Sequence, residues 1–320
     1  KQAVRNPTAT PLPRERTGGG ALLAVLWVSA GLSAIAFSVA STVRSETERT
    51  ATALDGVRAY YLAVGAVERA ILHMQWREPY YRPGIPLLRM AFPAGDAEVE
   101  IIPEAAKFNI NSASPEDLYK LLSALGAPPD RAGAITEAIV DWRTPVAESP
   151  HDRYYLGLAP SFRPRHASLE EIEELLVVRG MTAELFYGTY ETTPEGGLIP
   201  RGGLRDCVSV YGSTTRFDVN TAHPAVLLAL GIDPQTAAHL VERRRAAPFV
   251  AEGEVAGIGA GRLRVGGNSI YTLRATARVR LQNGQLSDLR RSVAALVKFM
   301  PPGYDATYHI LRWYDNAWRS

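Results

Sequence analysis

The pattern of apolar and polar positions changes most sharply near the start of the chain, where the residues from Ala21 to Ala40 carry no charge. At about 1.5 Å per residue, a helix of that length spans roughly the 30 Å hydrocarbon layer of a bilayer. Positively charged residues exceed acids before this run, whereas the two balance after it. The pattern therefore predicts a transmembrane helix with a cytoplasmic N-terminus and the bulk of the chain on the other side.

Helical periodicity continues beyond the apolar run to about Glu78. The stretch from Ser41 onward contains no proline and only two glycines, and its apolar residues recur at helical spacing. The recurring residues are Leu54, Val57, Tyr61, Val64, Val67, Ile71 and Met74. The sequence therefore predicts one helix from about Ala21 to Trp76, apolar on all sides in its first half and amphipathic in its second. We assign residues 20–77 to this transmembrane and stem helix.

Two other interpretations of the first part of the chain stay open. Ser38-Val39-Ala40 is an acceptable cleavage site for a secretory signal peptide, although the apolar run is longer than the roughly 7–15 residues of such peptides. A plain, uncleaved membrane anchor is the second. The uninterrupted passage into an amphipathic helix favours a retained stem over both.

Strand patterns occur at both ends of the remaining chain. Ala97–Ile102 alternates like a half-buried strand. Near the C-terminus, two more strands flank Asn283-Gly284, a dipeptide that supplies positive φ for a tight hairpin, and Thr307–Tyr314 predicts a third. The sequence therefore predicts an α+β fold, in which an antiparallel sheet built from both ends of the chain packs on the stem helix.

The segment between these strands contains an internal repeat. Phe108–Arg143 matches Phe217–Arg244. Each copy places a proline in the first turn of a helix, where its missing N–H costs nothing, and continues through Leu-Gly and a polar turn into a second helix. Residues 108–265 are therefore predicted to form a large inserted α-helical domain with two helix-hairpin-helix-like repeats. The remaining residues, 78–107 and 266–320, are predicted to form the α/β domain that contains the antiparallel sheet, which we call the head.

Helix-hairpin-helix units raise the question of DNA binding. In DNA-binding hairpins a glycine-rich turn brings backbone N–H groups to a phosphate. Here Pro128 and Asp233 replace the second glycine; proline removes a donor and aspartate adds a negative charge. Arg131 offers partial compensation, and Gly257–Gly261 matches the turn better but lacks a clear partner helix. The hairpins are thus expected to be structural, and nucleic acid is not an expected partner.

Composition narrows the remaining chemistry. The 320 residues are 46% hydrophobic and 21% charged with a net charge of +2, so no overall basic field points to nucleic acid. The single cysteine, Cys207, excludes an intrachain disulfide and argues against a cysteine-based zinc site. Signatures of serine hydrolases, phosphate-binding loops and zinc proteases are absent from the sequence. The chain is therefore not predicted to be an enzyme.

Several motifs together resemble a known family. A short basic leader ending in glycine, followed by an uncharged run entering a long helix, is similar to the class III signal of type IV pilins and pseudopilins. "GALLAVLW" (Gly20–Trp27) resembles the start of the minor pseudopilin K family of type II secretion systems. "KFNINSAS", "DWR", a Leu/Glu run before "GMT", and "DVNTAHP" follow in the family's order. The chain departs from the family at Pro103 and Ala105-Ala106, and in the loop after Arg143, which has fewer acids.

The resemblance implies processing and assembly sites. Prepilin peptidase would remove a leader of residues 1–19 by cutting between Gly19 and Gly20 on the cytoplasmic side and would methylate the new N-terminus; cuts after Gly18 or Gly20 stay open. Ala24 or Val25 then replaces the glutamate that most pilins carry at the fifth mature position, which fits a subunit with no neighbour above it. The expected transmembrane assembly residues are Ala21, Ala24, Val25, Trp27 and Ala40.

Some family members bind calcium, which directs attention to the acids after the first hairpin. Asp141, Glu148 and Asp152 are the candidate ligands. Calcium usually takes about six to eight oxygen ligands, so three carboxylates are few. Solvated loop acids are the alternative, and no other cofactor is expected.

The resemblance also implies a function. A pilin-like head on a single-pass inner-membrane helix, with its bulk in the periplasm, would promote or cap assembly of the type II secretion pseudopilus for protein export across the outer membrane. The implied partners are the I and J minor pseudopilins, the major pseudopilin and prepilin peptidase. A minor pilin of a type IV pilus or competence fibre, and a membrane-tethered helix-hairpin-helix DNA receptor, are the alternatives.

Overall fold

The structure is a computed structural model that describes residues 18–193 and 196–317. Most of the predicted leader therefore lies outside the described residues. The described residues fall into two compact units, which divide between Asp55 and Gly56. One long helix contributes to both.

The helices of the structure follow the predicted order. They are α1 (Gly18–Trp76), α2 (Pro115–Ala124), α3 (Pro129–Arg143), α4 (Asp152–Leu156), α5 (Ala183–Tyr187), α6 (Pro224–Ala229) and α7 (Pro234–Ala246). Short 3₁₀ helices occur at Glu104–Ala106, Ile172–Val177, Leu204–Asp206, Glu252–Val255 and Ile258–Gly261.

The strands form one large sheet and three small pairs. They are β1 (Leu87–Phe92), β2 (Gly95–Pro103), β3 (Phe108–Asn109), β4 (Thr189–Thr192), β5 (Leu198–Arg201), β6 (Val208–Ser209), β7 (Phe217–Asp218), β8 (Leu263–Arg264), β9 (Ile270–Val279), β10 (Arg291–Phe299) and β11 (Tyr308–Tyr314). The large sheet has the order β1-β2-β9-β10-β11, and all its pairings are antiparallel.

The large sheet confirms that both ends of the chain build one antiparallel layer. Its central strands align Val99 with Ala275 and Ala275 with Val293. Strand β1 escapes prediction, because its burial does not alternate regularly. The turn between β9 and β10 lies at Asn283-Gly284 as expected, since the Gly284 N–H donates to the Leu281 carbonyl at 2.9 Å and the Leu281 N–H donates to the Gln285 carbonyl at 2.8 Å. Gly284 has φ +80°, whereas Asn283 is not among the residues with positive φ, so the glycine alone supplies the positive φ of this turn.

Helix α1 packs on the large sheet through its residues in the second unit. The buried face is made mainly of alanines: Ala59, Ala63, Ala66 and Ala70, with Val67, Ile71 and Met74. The predicted apolar stripe is therefore right for its last three members, whereas Val57 and Tyr61 are 52% and 67% exposed. The four alanines on this face are small, which allows the helix axis to approach the sheet closely.

This packing predicts opposite effects for two adjacent substitutions in α1. Ala66 is fully buried, so Ala66→Leu is expected to lower the free energy of unfolding by about 1–3 kcal/mol through overpacking. A Cβ at Gly65 meets nothing within 4 Å, so Gly65→Ala should raise it by about 0.5–1 kcal/mol. Urea unfolding of the full chain in detergent measures both. Equal effects of the two changes would contradict the assignment of the inward face.

The inserted region has its own hydrophobic core, separate from the core between α1 and the sheet. It contains both copies of the sequence repeat. Each copy forms a pair of helices, α2 with α3 and α6 with α7, and each begins with a proline at the first turn. The helix-hairpin-helix character of these pairs, and domain boundaries at 107/108 and 265/266, stay predictions.

The two copies share their hydrogen bonds as well as their helices. Arg143 at the end of α3 donates to the carbonyl oxygens of Ile110 and Ala113. Arg244, in the last turn of α7, donates to the corresponding carbonyls of Val219 and Ala222, at 2.7 Å each. Each arginine thus ties the second helix of its hairpin to the loop that precedes the first.

The repeat extends well beyond the hairpins that the sequence revealed. Each copy closes with a two-residue parallel pair, β3 with β6 and β7 with β8. Each also contains an asparagine whose amide binds both backbone groups of a later residue: Asn111 with Leu169, and Asn220 with Phe249. The similarity between the two parts of the inserted region therefore includes these hydrogen bonds and strand pairs as well as the helices.

Candidate functional site

The first candidate site is the exposed apolar helix of the first unit. The described residues 20–54 are all exposed, among them Val25 and Trp27 at 65% and 77%. The predicted assembly residues Ala21, Ala24 and Ala40 lie on the same exposed helix. This is a helix long and apolar enough to cross a membrane by length and composition. It offers apolar surface that the other described residues leave exposed.

Polar side chains within this helix bind its own backbone. The hydroxyl of Ser29 donates to the carbonyl of Val25, and that of Ser41 donates to the carbonyl of Ser38. Because hydrocarbon offers no hydrogen-bonding partner, the polar groups of a membrane helix must form their hydrogen bonds within the protein, as these hydroxyls do. Gly19 and Gly20, the predicted processing site, lie in the first turns of α1, and no contact bears on where a peptidase cuts.

A second exposed apolar surface lies on α1 in the second unit. It consists of Val57, Tyr61, Leu72 and Trp76, which are 41–67% exposed. At about 100° per residue these positions fall within roughly a 100° arc of the helix, on the side away from the sheet. Glu68 lies within the same arc and is exposed. We call these five residues the outer stripe.

The candidate metal ligands come together differently from the prediction. Among the described residues, Asp141, Asp152 and His166 each place one ligand atom within 4.8 Å of the others. Glu148 is exposed and is not part of this group, so the structure does not bring it together with the two aspartates. His166 stands isolated in the sequence, because the loop that returns it to α3 carries no recognisable pattern. No spacing signal could have found it.

Hydrogen bonds organise this cluster, which we call the acid–histidine cluster. His166 Nε2 lies 2.8 Å from Asp152 Oδ1, and its Nδ1 lies 3.1 Å from the backbone oxygen of Asp141. The hydroxyl of Ser149 donates to Asp141 Oδ1. The hydrogen bond from His166 holds the pKa of Asp152 below its usual value. Burial lowers the pKa of His166, but its bonds to Asp152 and to the Asp141 carbonyl outweigh this and raise it.

The donor set does not fit calcium. Calcium takes about six to eight oxygen ligands, whereas this cluster offers two carboxylates and an imidazole nitrogen. The calcium expectation is therefore not supported by the residues that the structure brings together.

The hairpin turns are also occupied in ways that disfavour phosphate. Asp233 caps α7 by accepting from the N–H groups of Gln235 and Thr236, and these bonds hold its pKa below the usual value. Its negative charge thus lies on the donors that a phosphate would need. Arg131, the predicted compensation, donates to Gly180 and Thr182. Ile258–Gly261 is only a short 3₁₀ helix.

Comparison with known proteins identifies the relatives of this chain. A family model described as type II secretion system (T2SS), protein K, matches residues 104–188. Type II secretion system protein K of Klebsiella pneumoniae is 28% identical over 197 residues, which cover 53% of this chain and 60% of that protein. The resemblance to the type II secretion protein K family is confirmed. The protein K of Pectobacterium carotovorum subsp. carotovorum is likewise 28% identical over 203 residues, covering 54% of this chain and 61% of that protein.

A solved structure supports the same fold. This chain is similar to one chain of the GspK-GspI-GspJ complex from the type 2 secretion system of enterotoxigenic Escherichia coli, with a TM-score of 0.50 and 18% identity. The match covers 86% of this chain and 99% of that chain. The aligned regions span only about 60% of the protein K relatives from Klebsiella and Pectobacterium. The match therefore shows a common fold with one chain of that complex over most of this chain.

Proposed function

We propose that this chain is a minor pseudopilin of a type II secretion system and that it acts by assembling with other pseudopilins. The observation that carries the proposal is the long, uncharged and exposed start of α1, which needs first a bilayer and then neighbouring subunits to cover it. The match to protein K over residues 104–188 supports the assignment to a type II secretion system. The chain thus serves as a structural component, with no reaction of its own.

The proposal includes a position at the fibre tip. Ala24 stands where most pilins carry a glutamate that pairs with the neighbouring N-terminus, so this chain has no need of a subunit above it. The helical insertion, residues 108–265, adds bulk to the head and would limit further growth. I-type and J-type pseudopilins are the proposed partners, with the major pseudopilin beneath, and the solved complex with GspI and GspJ supports this choice.

The proposal also includes maturation and orientation. Prepilin peptidase would cut between Gly19 and Gly20, and the mature helix would keep its start at the cytoplasmic side with residues 56–320 in the periplasm. N-terminal sequencing of the protein recovered from membranes tests this directly. A start at Gly20 supports the proposal. A start at Ser41 would indicate a signal peptide, and an uncut chain would indicate a plain anchor.

The outer stripe is the proposed contact with a partner helix. Tyr61→Glu places a second charge beside Glu68 in this stripe, and we expect it to weaken binding to an I-type pseudopilin by at least about tenfold, as loss of a buried aromatic anchor does. Affinity measured by biolayer interferometry with both proteins in detergent checks this. The matched control is Tyr119→Glu on α2, where the tyrosine is 38% exposed. Equal affinities for the two variants, with unchanged melting temperatures, would refute the contact.

A further inference from the structure

The acid–histidine cluster has a geometry that calls for a cation. His166 is 8% exposed and Asp152 is 8% exposed, so water cannot freely solvate their polar atoms. Asp141 lies near the end of α3, Asp152 begins α4, and His166 returns on the loop that follows. Three separate segments therefore bring a nitrogen and two carboxylates together within 4.8 Å.

The orientation of the His166 ring follows from its partners. A backbone carbonyl can only accept a hydrogen bond, so Nδ1, at 3.1 Å from the Asp141 oxygen, carries a proton. Nε2 then faces Asp152 Oδ1 at 2.8 Å. Two lone pairs at that distance repel, so a cation must join them, either a second proton or a metal ion. Metal-binding histidines commonly have their other ring nitrogen held by a backbone carbonyl in this way.

The second carboxylate indicates which cation fits. Asp141 Oδ2 is buried and has no hydrogen-bond partner among the described residues. A proton on His166 would leave this oxygen unpaired, which is costly in a buried place. A divalent ion beside a neutral imidazole balances both and gives Oδ2 a ligand role.

We propose that Asp141, Asp152 and His166 form a binding site for one divalent ion of the zinc class. Imidazole suits zinc, copper and nickel, whereas calcium and magnesium prefer oxygen ligands throughout. Three protein ligands and one water complete the four-coordinate shell that zinc favours. The ion would fasten the loop of residues 144–165 to the end of α3, so its role is structural and independent of the proposed assembly function.

Zinc titration of the full chain in detergent, after treatment with EDTA, tests the site. We expect one zinc bound per chain by isothermal titration calorimetry and elemental analysis. The melting temperature should rise with zinc, since ligands that bind only the native state stabilise it, and should not change with millimolar calcium. His166→Gln is expected to weaken zinc binding by at least about tenfold. His239→Gln, which changes an exposed histidine on α7, should leave it unchanged.

Asp141→Asn provides a second variant in case His166→Gln fails to fold. An asparagine there can keep the bond from Ser149 through its carbonyl oxygen but places an uncharged NH₂ group at the position of Oδ2. We expect a native circular dichroism spectrum and at least about a tenfold loss of zinc affinity. No saturable zinc binding, equal binding by wild type and both variants, or calcium binding that Asp141→Asn abolishes would each overturn the proposal.

Discussion

Replacing Ala30 and Ala34 together by arginine is expected to release most of the chain from the membrane. Both residues lie near the middle of the uncharged run and on the same side of α1, one turn apart. An arginine at the centre of a membrane helix costs about 2.5–3.5 kcal/mol on the insertion scale, so the pair costs roughly 5–7 kcal/mol. Carbonate extraction of membranes measures the fraction that remains embedded.

The matched control changes the same two positions to leucine. Leucine favours insertion, so Ala30→Leu with Ala34→Leu should stay in the membrane pellet as the unchanged chain does. Protein export should fail with the arginine pair and continue with the leucine pair, provided that assembly depends on the embedded helix. An arginine variant that still resists carbonate extraction would contradict the membrane assignment of residues 21–40.

The large elements of the fold were predictable because they depend on local patterns. The long helix follows from an uncharged run joined to a proline-free stretch, and α1 begins within three residues of the predicted start. The strands at Gly95–Pro103 and Ile270–Val279 alternate in burial along their length, which is the signal that sequence patterns carry best. The common sheet followed from placing strands at both ends of one chain.

The inward face of α1 could not be predicted from periodicity. Two apolar arcs run along the second half of the helix, one rich in alanine and one with Val57, Tyr61, Leu72 and Trp76. A helical pattern shows that such arcs exist but does not show which one meets the sheet. The large apolar side chains of Val57 and Tyr61 suggested that their arc faces the sheet. The sheet instead packs on the arc that is rich in alanine, because close packing between helix and sheet favours small side chains.

The acid–histidine cluster escaped prediction for a different reason. Glu148 lies between Asp141 and Asp152 in sequence, which makes it a natural candidate ligand, yet its side chain is exposed. His166 joins the two aspartates only because the chain folds back after α4 and places its ring against Asp152. Sites assembled by such long-range folding depend on the tertiary structure, so motif spacing identified two of the three residues and missed the nitrogen.

The sequence revealed only the hairpins of the repeat, for a related reason. The hairpins share residues in order, whereas the segments that complete each copy differ in length and share mainly hydrogen-bonding geometry. Glu174 accepts from the N–H groups of residues 170 and 171, and Glu254 accepts from those of residues 250 and 251. Equivalent backbone contacts can thus persist where the surrounding sequence no longer matches.

Asn220→Leu is expected to destabilise the second unit more strongly than the equivalent change in the first copy of the repeat. The Asn220 side-chain amide donates to the carbonyls of Gly84 and Phe249 at 2.9 Å each and accepts from the Phe249 N–H at 2.8 Å. Leucine has a similar size but leaves three backbone groups without partners at a site that is 7% exposed. Each such group costs about 1–3 kcal/mol, so the three together correspond to a loss of roughly 3–9 kcal/mol.

The equivalent residue of the first copy makes this prediction sharper. Asn111 makes two bonds to Leu169 and is only partly buried, so Asn111→Leu should cost about 2–3 kcal/mol. Gln282→Leu, in the exposed turn before Asn283, should change the free energy of unfolding by less than about 0.5 kcal/mol. Urea unfolding of all three variants in detergent measures their free energies of unfolding, which can then be ranked. If Asn220→Leu cost no more than Asn111→Leu, the bond to Gly84 would not join the head to the inserted region, and the two cores would have to be held together by other contacts.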